Sequence, residues 1–413
     1  MRRVVVTGLG AVTPIGNTVP EMWENVKLGT CGIDKITAYD TTGRKVTLAG
    51  EVKHFDPEQV LDKREARKMD RFTQFAMAAA KEAMQDAGFE PGTLDASRCG
   101  VIVSSGIGGL GTIETEEKKG MEKGYDRVSP YFIPMIISNM AAGNISIAFG
   151  FQGMCSCVVT ACASGTNAIG DGFRHIRDGY GDVMICGGSE ASITPIGVGG
   201  FTSLKALCRE EDPERASIPF DKERSGFVMG EGAGMLILEE YEHAVRRGAK
   251  IYCEVAGYGT NCDAYHITAP LADGSVAAKC MELAMEDAGI APEAIDYINA
   301  HGTSTPLNDK GETKAVKLAF QDHAKKVMMS STKSMTGHLL GASGAVEGVI
   351  TALAVQNDFV PATIHYQVPD EECDLDIVPN VGRNVEVNYA MSNSLGFGGH
   401  NAAIIFKKYT EKR

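Results

Sequence analysis

No stretch of this 413-residue chain approaches the roughly 18 consecutive apolar residues needed to cross a bilayer, which excludes a membrane-spanning helix. A surplus of basic charge is missing too. Forty Lys and Arg stand against 53 Asp and Glu, a formal net charge of −13. That excludes general nucleic-acid binding, because neutralising phosphates needs a basic face. The 11 cysteines follow no disulfide framework. Their odd number and their place in apolar runs, such as Cys186, fit buried free thiols in a reducing compartment. The first residues share with a secretory signal only Arg2 and Arg3. Gly8, Gly10 and Pro14 interrupt the apolar run, so it reads as a strand and a turn. With no targeting segment legible, the cytosol is the expected compartment. Low-complexity linkers and heptads are lacking as well.

What the chain has is an alternation. Apolar runs at 4–7, 100–104, 157–161, 182–186 and 235–238, then at 252–256, 297–300, 327–330, 387–392 and 402–406, read as strands. Helical patterns lie between them at 72–87, 164–178, 276–287, 309–320 and 342–356. This order predicts an α/β protein with sheets buried on both faces. The length predicts two domain-sized units. The charged stretch at 239–250 is the expected boundary, giving halves 1–249 and 250–413. A faint echo joins them: Cys162-Ala163-Ser164-Gly165 leads one small-residue helix, and His338 leads the other, with Gly341-Ala342-Ser343-Gly344. Such residues let two helices pack closely.

Val158-Val159-Thr160-Ala161-Cys162-Ala163-Ser164-Gly165 reads as a buried strand turning sharply into a helix. Unpaired N–H groups and the helix dipole would then favour the Cys162 thiolate, the nucleophilic form. The alternative from this segment alone is one more inert buried thiol. A metal site on Cys155, Cys157 and Cys162 fits poorly, since three thiols of one strand cannot face one ion. His301, in Asn299-Ala300-His301-Gly302-Thr303, and His338, in Lys333-Ser334-Met335-Thr336-Gly337-His338, each sit at a strand end, where α/β proteins keep their chemistry. His54, His175, His243 and His323 read as solvated faces. Gly106-Ile107-Gly108-Gly109-Leu110-Gly111 matches a dinucleotide fingerprint in letters. The charged segment 112–123 after it and the lack of a second strand at the right distance argue against a nicotinamide enzyme.

The segments around Cys162, His301 and His338, with Val5-Val6-Thr7-Gly8-Leu9-Gly10 and Asn393-Ser394-Leu395-Gly396-Phe397-Gly398-Gly399-His400-Asn401, span almost the whole chain. In that order they resemble the type II beta-ketoacyl-acyl carrier protein synthases of the thiolase superfamily. The resemblance implies a five-layered αβαβα sandwich of two duplicated halves, a homodimer, and an acyl carrier protein as partner. It implies a decarboxylative condensation in type II fatty acid elongation. Cys162 would carry the acyl chain, and neutral His301 and His338 would stabilise the enolate of a malonyl thioester. The backbone N–H groups of Cys162 and Phe397 would form the oxyanion hole, with Phe397 also the gate. Lys333 would orient the His338 region, paired with Glu347. Ile107 and Phe201 resemble acyl-pocket liners, and Thr268, Thr303 and Thr305 match pantetheine contacts. Arg64, Arg67 and Lys68, with Lys205 and Arg209, match the cationic rim that meets the acidic carrier. No cofactor is required. A structural Na+ or K+ is implied near Asn299, Ala300, Glu347, Ser392 and Asn393.

His338 sets this pattern apart from degradative thiolases and chalcone-synthase-like enzymes, which resemble a Cys with one His plus a second Cys or an Asn. Cys162 sets it apart from the non-catalytic chain-length partners of polyketide synthases. A ketosynthase subunit of a type II polyketide pathway has nearly the same motifs and stays open.

Overall fold

The computed structural model describes residues 1–89 and 92–410. Its centre is a ten-stranded sheet of β1 (Val4–Val12), β2 (Cys99–Ser104), β3 (Cys155–Ser156), β4 (Val183–Glu190), β5 (Gly232–Glu240), β6 (Cys253–Cys262), β7 (Tyr297–Asn299), β8 (Met328–Ser330), β9 (Tyr389–Gly396) and β10 (His400–Lys408). Their spatial order is β8-β7-β9-β10-β6-β1-β5-β4-β2-β3. Counted outward from the middle, each half therefore runs first, fifth, fourth, second, third strand of its own segment. The same order twice in one chain is the duplication. The halves join through a short antiparallel pairing of β1 with β6, Val4 opposite Val255.

Continuous burial of β1, β2, β4 and β5 explains their unbroken apolar runs, since helices cover both faces. On one outer face lies α1 (Arg71–Ala87), which Asp70 caps by accepting the Phe72 N–H. Its apolar stripe packs on β1 and β5. On the opposite face lie α3 (Ser275–Ala288), packed on β6 and β10, and α4 (Pro306–Phe320), packed on α3. Between the two half-sheets run α2 (Ser164–Arg177) and α5 (Ser343–Asn357), which touch strands of both halves. Helix α5 is buried all round from Ser343 to Val355, as a middle layer requires. The result is the five-layered αβαβα sandwich, two outer helical layers, two half-sheets and a helical centre.

The close approach of α2 and α5 depends on glycine. A Cβ on Gly344 would come within 2.0 Å of Thr166 Oγ1, and one on Gly165 within 2.7 Å of the Ala345 nitrogen.

Three sequence expectations need correction. The run 157–161 is no strand: β3 ends at Ser156 and Val159 is 54% exposed. Side chains take its amides, Ser104 Oγ that of Val158 and Ser164 Oγ that of Thr160, so tertiary bonding overrides the β-branched propensity. β5 continues through Glu240, and fully buried Glu239 accepts from Arg247 at 2.7 Å and from Thr7 at 2.8 Å. His243 is bound into that network, 2.6 Å from Glu239, rather than solvated. The internal echo is also shifted. Cys162 and Gly341 are the equivalent middle residues of two 3-10 turns, Ala161–Ala163 and Leu340–Ala342, each opening with φ 51° and each feeding an inner helix at a serine. Among the described residues, no helix is long and apolar enough to cross a membrane.

Candidate active site

Cys162, His301 and His338 come from three distant segments and line one cavity, together with Phe397. Cys162 stands on its 3-10 turn at the mouth of α2, His301 follows β7, and His338 follows the one-turn helix Lys333–Thr336. The turn at the nucleophile is strained: Ala161 adopts φ 51°, a left-handed conformation costing an L-residue about 1–2 kcal/mol. The end of β9 packs directly on it. A Cβ on Gly396 would sit 2.7 Å from the Thr160 carbonyl and 3.2 Å from the Cys162 nitrogen, so glycine there lets the next amide, Phe397 N–H, reach the sulfur.

Electrostatics at the sulfur pull two ways. Burial pushes the Cys162 thiol up to about 12. The charge of Lys333 and hydrogen bonds from the backbone N–H groups of Phe397 and Cys162 pull it down. Burial prevails, so the resting group is the thiol. A helix terminus alone does not deliver the thiolate here, contrary to the sequence expectation.

Both imidazoles are neutral. Burial, then the Lys333 charge, holds His301 and His338 well below the usual histidine range, with His338 adding to the effect on His301. Their rings meet edge to face with centroids 5.3 Å apart. Lys333 Nζ stands 3.5 Å from His301 Nδ1 and donates to Glu347 Oε1 at 2.5 Å. An ammonium can only donate, so His301 Nδ1 is the acceptor and its proton sits on Nε2. The backbone of the His301 loop is held by Glu312, which accepts from His301 N–H and Gly302 N–H, both at 2.8 Å. Burial raises Glu312 and Glu347 to about 7.

Thr268, Thr303 and Thr305 line the cavity beside Phe201, and the Thr303 and Thr305 hydroxyls are 2.9 Å apart. Thr268 and Thr305 also line an adjoining outer groove with Lys205 and Phe397. Ile107 lines neither, but packs with Cys162, Phe201 and Leu340 in one apolar cluster. Lys205 and Arg209 are exposed. Arg64 and Arg67 are exposed on the short helix Lys63–Ala66 and the turn after it, while Lys68 is half-buried and pairs with Glu65 at 2.7 Å. None of those three lines the cavity or the groove.

Sequence reasoning missed Glu312, Glu190 and Ser343. Glu312 had a signal: it falls on the apolar stripe of α4 with Ala315, Val316 and Ala319, where an unpaired charge is costly. Glu190, fully buried, accepts from the amides of Gly106, Ile107 and Gly341, tying the acyl-side loop to the turn after His338. Nothing local in the sequence marks it.

Behind His301 lies a cluster of buried oxygens without a hydrogen-bond partner among the described residues: Asn299 Oδ1, Glu347 Oε2, Ser392 Oγ and Asn393 Oδ1. All four are hard oxygen donors, the chemistry that suits an alkali cation, and no histidine or thiol is among them.

The family model of the beta-ketoacyl synthase N-terminal domain matches residues 1–244, and that of the C-terminal domain matches residues 252–367. The 3-oxoacyl-[acyl-carrier-protein] synthase 2 of a Synechocystis species is 53% identical over 409 residues, 99% of this chain and 98% of that protein. That of Staphylococcus aureus is 53% identical over 408 residues, 99% of each. Among solved structures, a type II polyketide ketosynthase in complex with its acyl carrier protein aligns at TM-score 0.89 and 38% identity, covering 99% of this chain and all of that one. The ishigamide ketosynthase/chain length factor aligns at TM-score 0.93 and 36% identity with the same coverage.

Proposed function

This chain belongs to the beta-ketoacyl synthase family as a condensing acyltransferase of the 3-oxoacyl-[acyl-carrier-protein] synthase type, and we propose that Cys162 carries its growing acyl chain while His301 and His338 activate the extender. The observation that carries this reading is one cavity lined by the sulfur and both neutral imidazoles.

The chemistry runs in two halves. The acyl thioester of a carrier protein enters with its pantetheine arm along Thr268, Thr303 and Thr305. Cys162 sulfur attacks the carbonyl and the carrier thiol leaves. The amides that already reach the sulfur, Cys162 and Phe397 N–H, take the oxyanion, each donor contributing about 3–4 kcal/mol. Malonyl on a second carrier then loses carbon dioxide. The enolate oxygen accepts from the Nε2–H groups of His301 and His338, and the enolate carbon attacks the acyl-Cys162 carbonyl, breaking its C–S bond so that Cys162 leaves as the sulfur nucleophile it began as and the 3-oxoacyl chain stays on the second carrier. Two neutral donors suit this step, because a cationic imidazole would have to be created in a buried site beside Lys333.

The cavity is about 90 Å³, well below the roughly 300–1,000 Å³ usual for small-molecule sites. Phe397, its ring 6.3 Å from that of Phe201, is therefore read as a gate that swings when an acyl chain arrives. The carrier docks on a rim of Lys205, Arg209, Arg64, Arg67 and Lys68, whose positive charge complements an acidic partner. The 53% identity to 3-oxoacyl-[acyl-carrier-protein] synthases, against 38% for the type II polyketide ketosynthase, favours fatty acid elongation.

Asn299, Ala300, Glu347, Ser392 and Asn393 would hold a Na+ or K+, which would supply fixed charge behind the His301 loop. The expected sign of it is a rise in melting temperature with K+ or Na+ over a bulky organic cation at equal ionic strength. A homodimer is supported by an open sheet edge at β3 flanked by exposed Ile133, Ile137, Ile147 and Val159. We place the enzyme in the cytosol as two related halves, 1–249 and 250–413.

Mass spectrometry after incubation with acyl-carrier thioesters tests the assignment. Wild type should gain the acyl mass on Cys162, and Cys162→Ala should gain none while still releasing carbon dioxide from malonyl carrier. Acylation at another residue, or condensation by Cys162→Ala, refutes it.

A further inference from the structure

Ser343 opens helix α5 five residues after His338 and is buried, 2% exposed as a residue. Its hydroxyl oxygen accepts the Leu339 N–H at 2.9 Å. It also lies 2.9 Å from His338 Nδ1. A serine hydroxyl has one hydrogen to give, and among the described residues no other acceptor takes this one. The geometry points to Ser343 as a positioning residue that donates to His338 Nδ1 and thereby keeps the imidazole proton on Nε2, where it faces the cavity.

The duplicated half supplies an internal control. Ser164 stands at the equivalent start of α2, and its hydroxyl accepts the Thr160 N–H at 2.9 Å, four residues back, as Ser343 accepts that of Leu339. Holding that amide is the shared, structural duty of both serines. The remaining hydrogen is used differently. Ser164 gives it to the Ala161 carbonyl at 2.6 Å, a bond within its own turn. Ser343 has a histidine nitrogen in its path instead. Lys333 fixes the tautomer of His301 from its own Nδ1 side. Ser343 does the same for His338, so both Nε2–H donors are set before substrate arrives. A neutral imidazole left free at Nδ1 would divide its proton between two nitrogens, and the fraction with a bare Nε2 could not hold an enolate oxygen.

This inference rests on the reading of His338 as an enolate donor, and the test separates the two. Nitrogen-15 NMR of histidine-labelled enzyme should show His338 as the Nε2–H tautomer in wild type and a mixed or Nδ1–H form in Ser343→Ala. Malonyl-carrier decarboxylation by that variant should fall about two- to tenfold, the worth of one neutral hydrogen bond. Its rate of Cys162 acylation should hold, a split that a general loosening of α5 would not produce. Ser343→Thr, which keeps the hydroxyl, should restore the wild-type tautomer. An unchanged His338 tautomer in Ser343→Ala overturns the inference whether or not Ser343→Thr folds. Undiminished decarboxylation by His338→Ala would instead overturn the reading beneath it.

Discussion

Replacing Lys333 with methionine removes a buried cation and strands its partner. Lys333 and Glu347 are 1% and 4% exposed and 2.5 Å apart. Even beside Lys333, burial holds the Glu347 carboxyl at about 7, against an ordinary 4.5. Without the lysine the strongest opposing pull is gone, and the carboxyl keeps its proton well above pH 7. The unfolded chain has already released that proton. Above pH 7 the folded variant thus binds one proton more than the unfolded chain, and its stability falls as pH rises. One proton per pH unit is about 1.4 kcal/mol, so two units cost about 2.7 kcal/mol. Wild-type Glu347, which Lys333 draws toward its ionised form, loses well under about 1 kcal/mol over the same range. The variant should therefore lose roughly 2 kcal/mol more than wild type between pH 7 and pH 9. At pH 7 itself the deficit should be about 1.5–3 kcal/mol, the worth of a hydrogen bond to a charged group. Chemical denaturation of wild type, Lys333→Met and Lys333→Met/Glu347→Gln at both pH values measures this. The double variant, with nothing to ionise at position 347, should return to the wild-type pH dependence. Equal losses in wild type and Lys333→Met would refute the account of the pair, as would a steep dependence surviving in the double variant.

His338→Ala should decarboxylate malonyl carrier about 100- to 1,000-fold more slowly, the usual cost of one preorganised oxyanion donor, while Cys162 stays open to acylation. Carbon dioxide release against acyl-enzyme mass separates the two steps. Arg67→Glu/Lys68→Glu should raise the carrier-protein KM by about three- to tenfold at low salt and less at high salt; a KM unchanged at low salt makes the patch a plain solvated face. In acid, unfolded histidines take up protons near pH 6.5 while His301 and His338 do not until far lower. Stability should fall below pH 6.5 by up to about 1.4 kcal/mol per pH unit for each. His301→Asn/His338→Asn should flatten that slope in acid denaturation.

The trio was legible because Cys162, His301 and His338 each sit among glycine and small polar residues next to an apolar run, although only His301 directly follows a strand. The alternation of apolar runs and helical stripes foretold the α/β layering, for burial on both faces leaves its imprint on every strand. Glu347 and Glu312 are charges set in apolar stripes, an anomaly visible in one dimension. Val158-Val159-Thr160 misled, because their β-propensity is real but side-chain hydroxyls of Ser104 and Ser164 claim their amides.

Residue order by itself marked the three side chains that meet in one cavity, which helices are small enough to meet, and that the chain holds two similar halves. Tertiary structure alone decided the state those side chains are in. Burial against Lys333 sets the thiol high and the imidazoles low, and desolvation depends on every neighbour at once. It also decided the register of the duplication, matching Cys162 to Gly341 rather than to His338, because equivalence follows backbone turns and not the chemistry mounted on them. The partners of Ser343 and Glu190 belong to the same class: a hydrogen bond is fixed by distances between segments that no local pattern encodes.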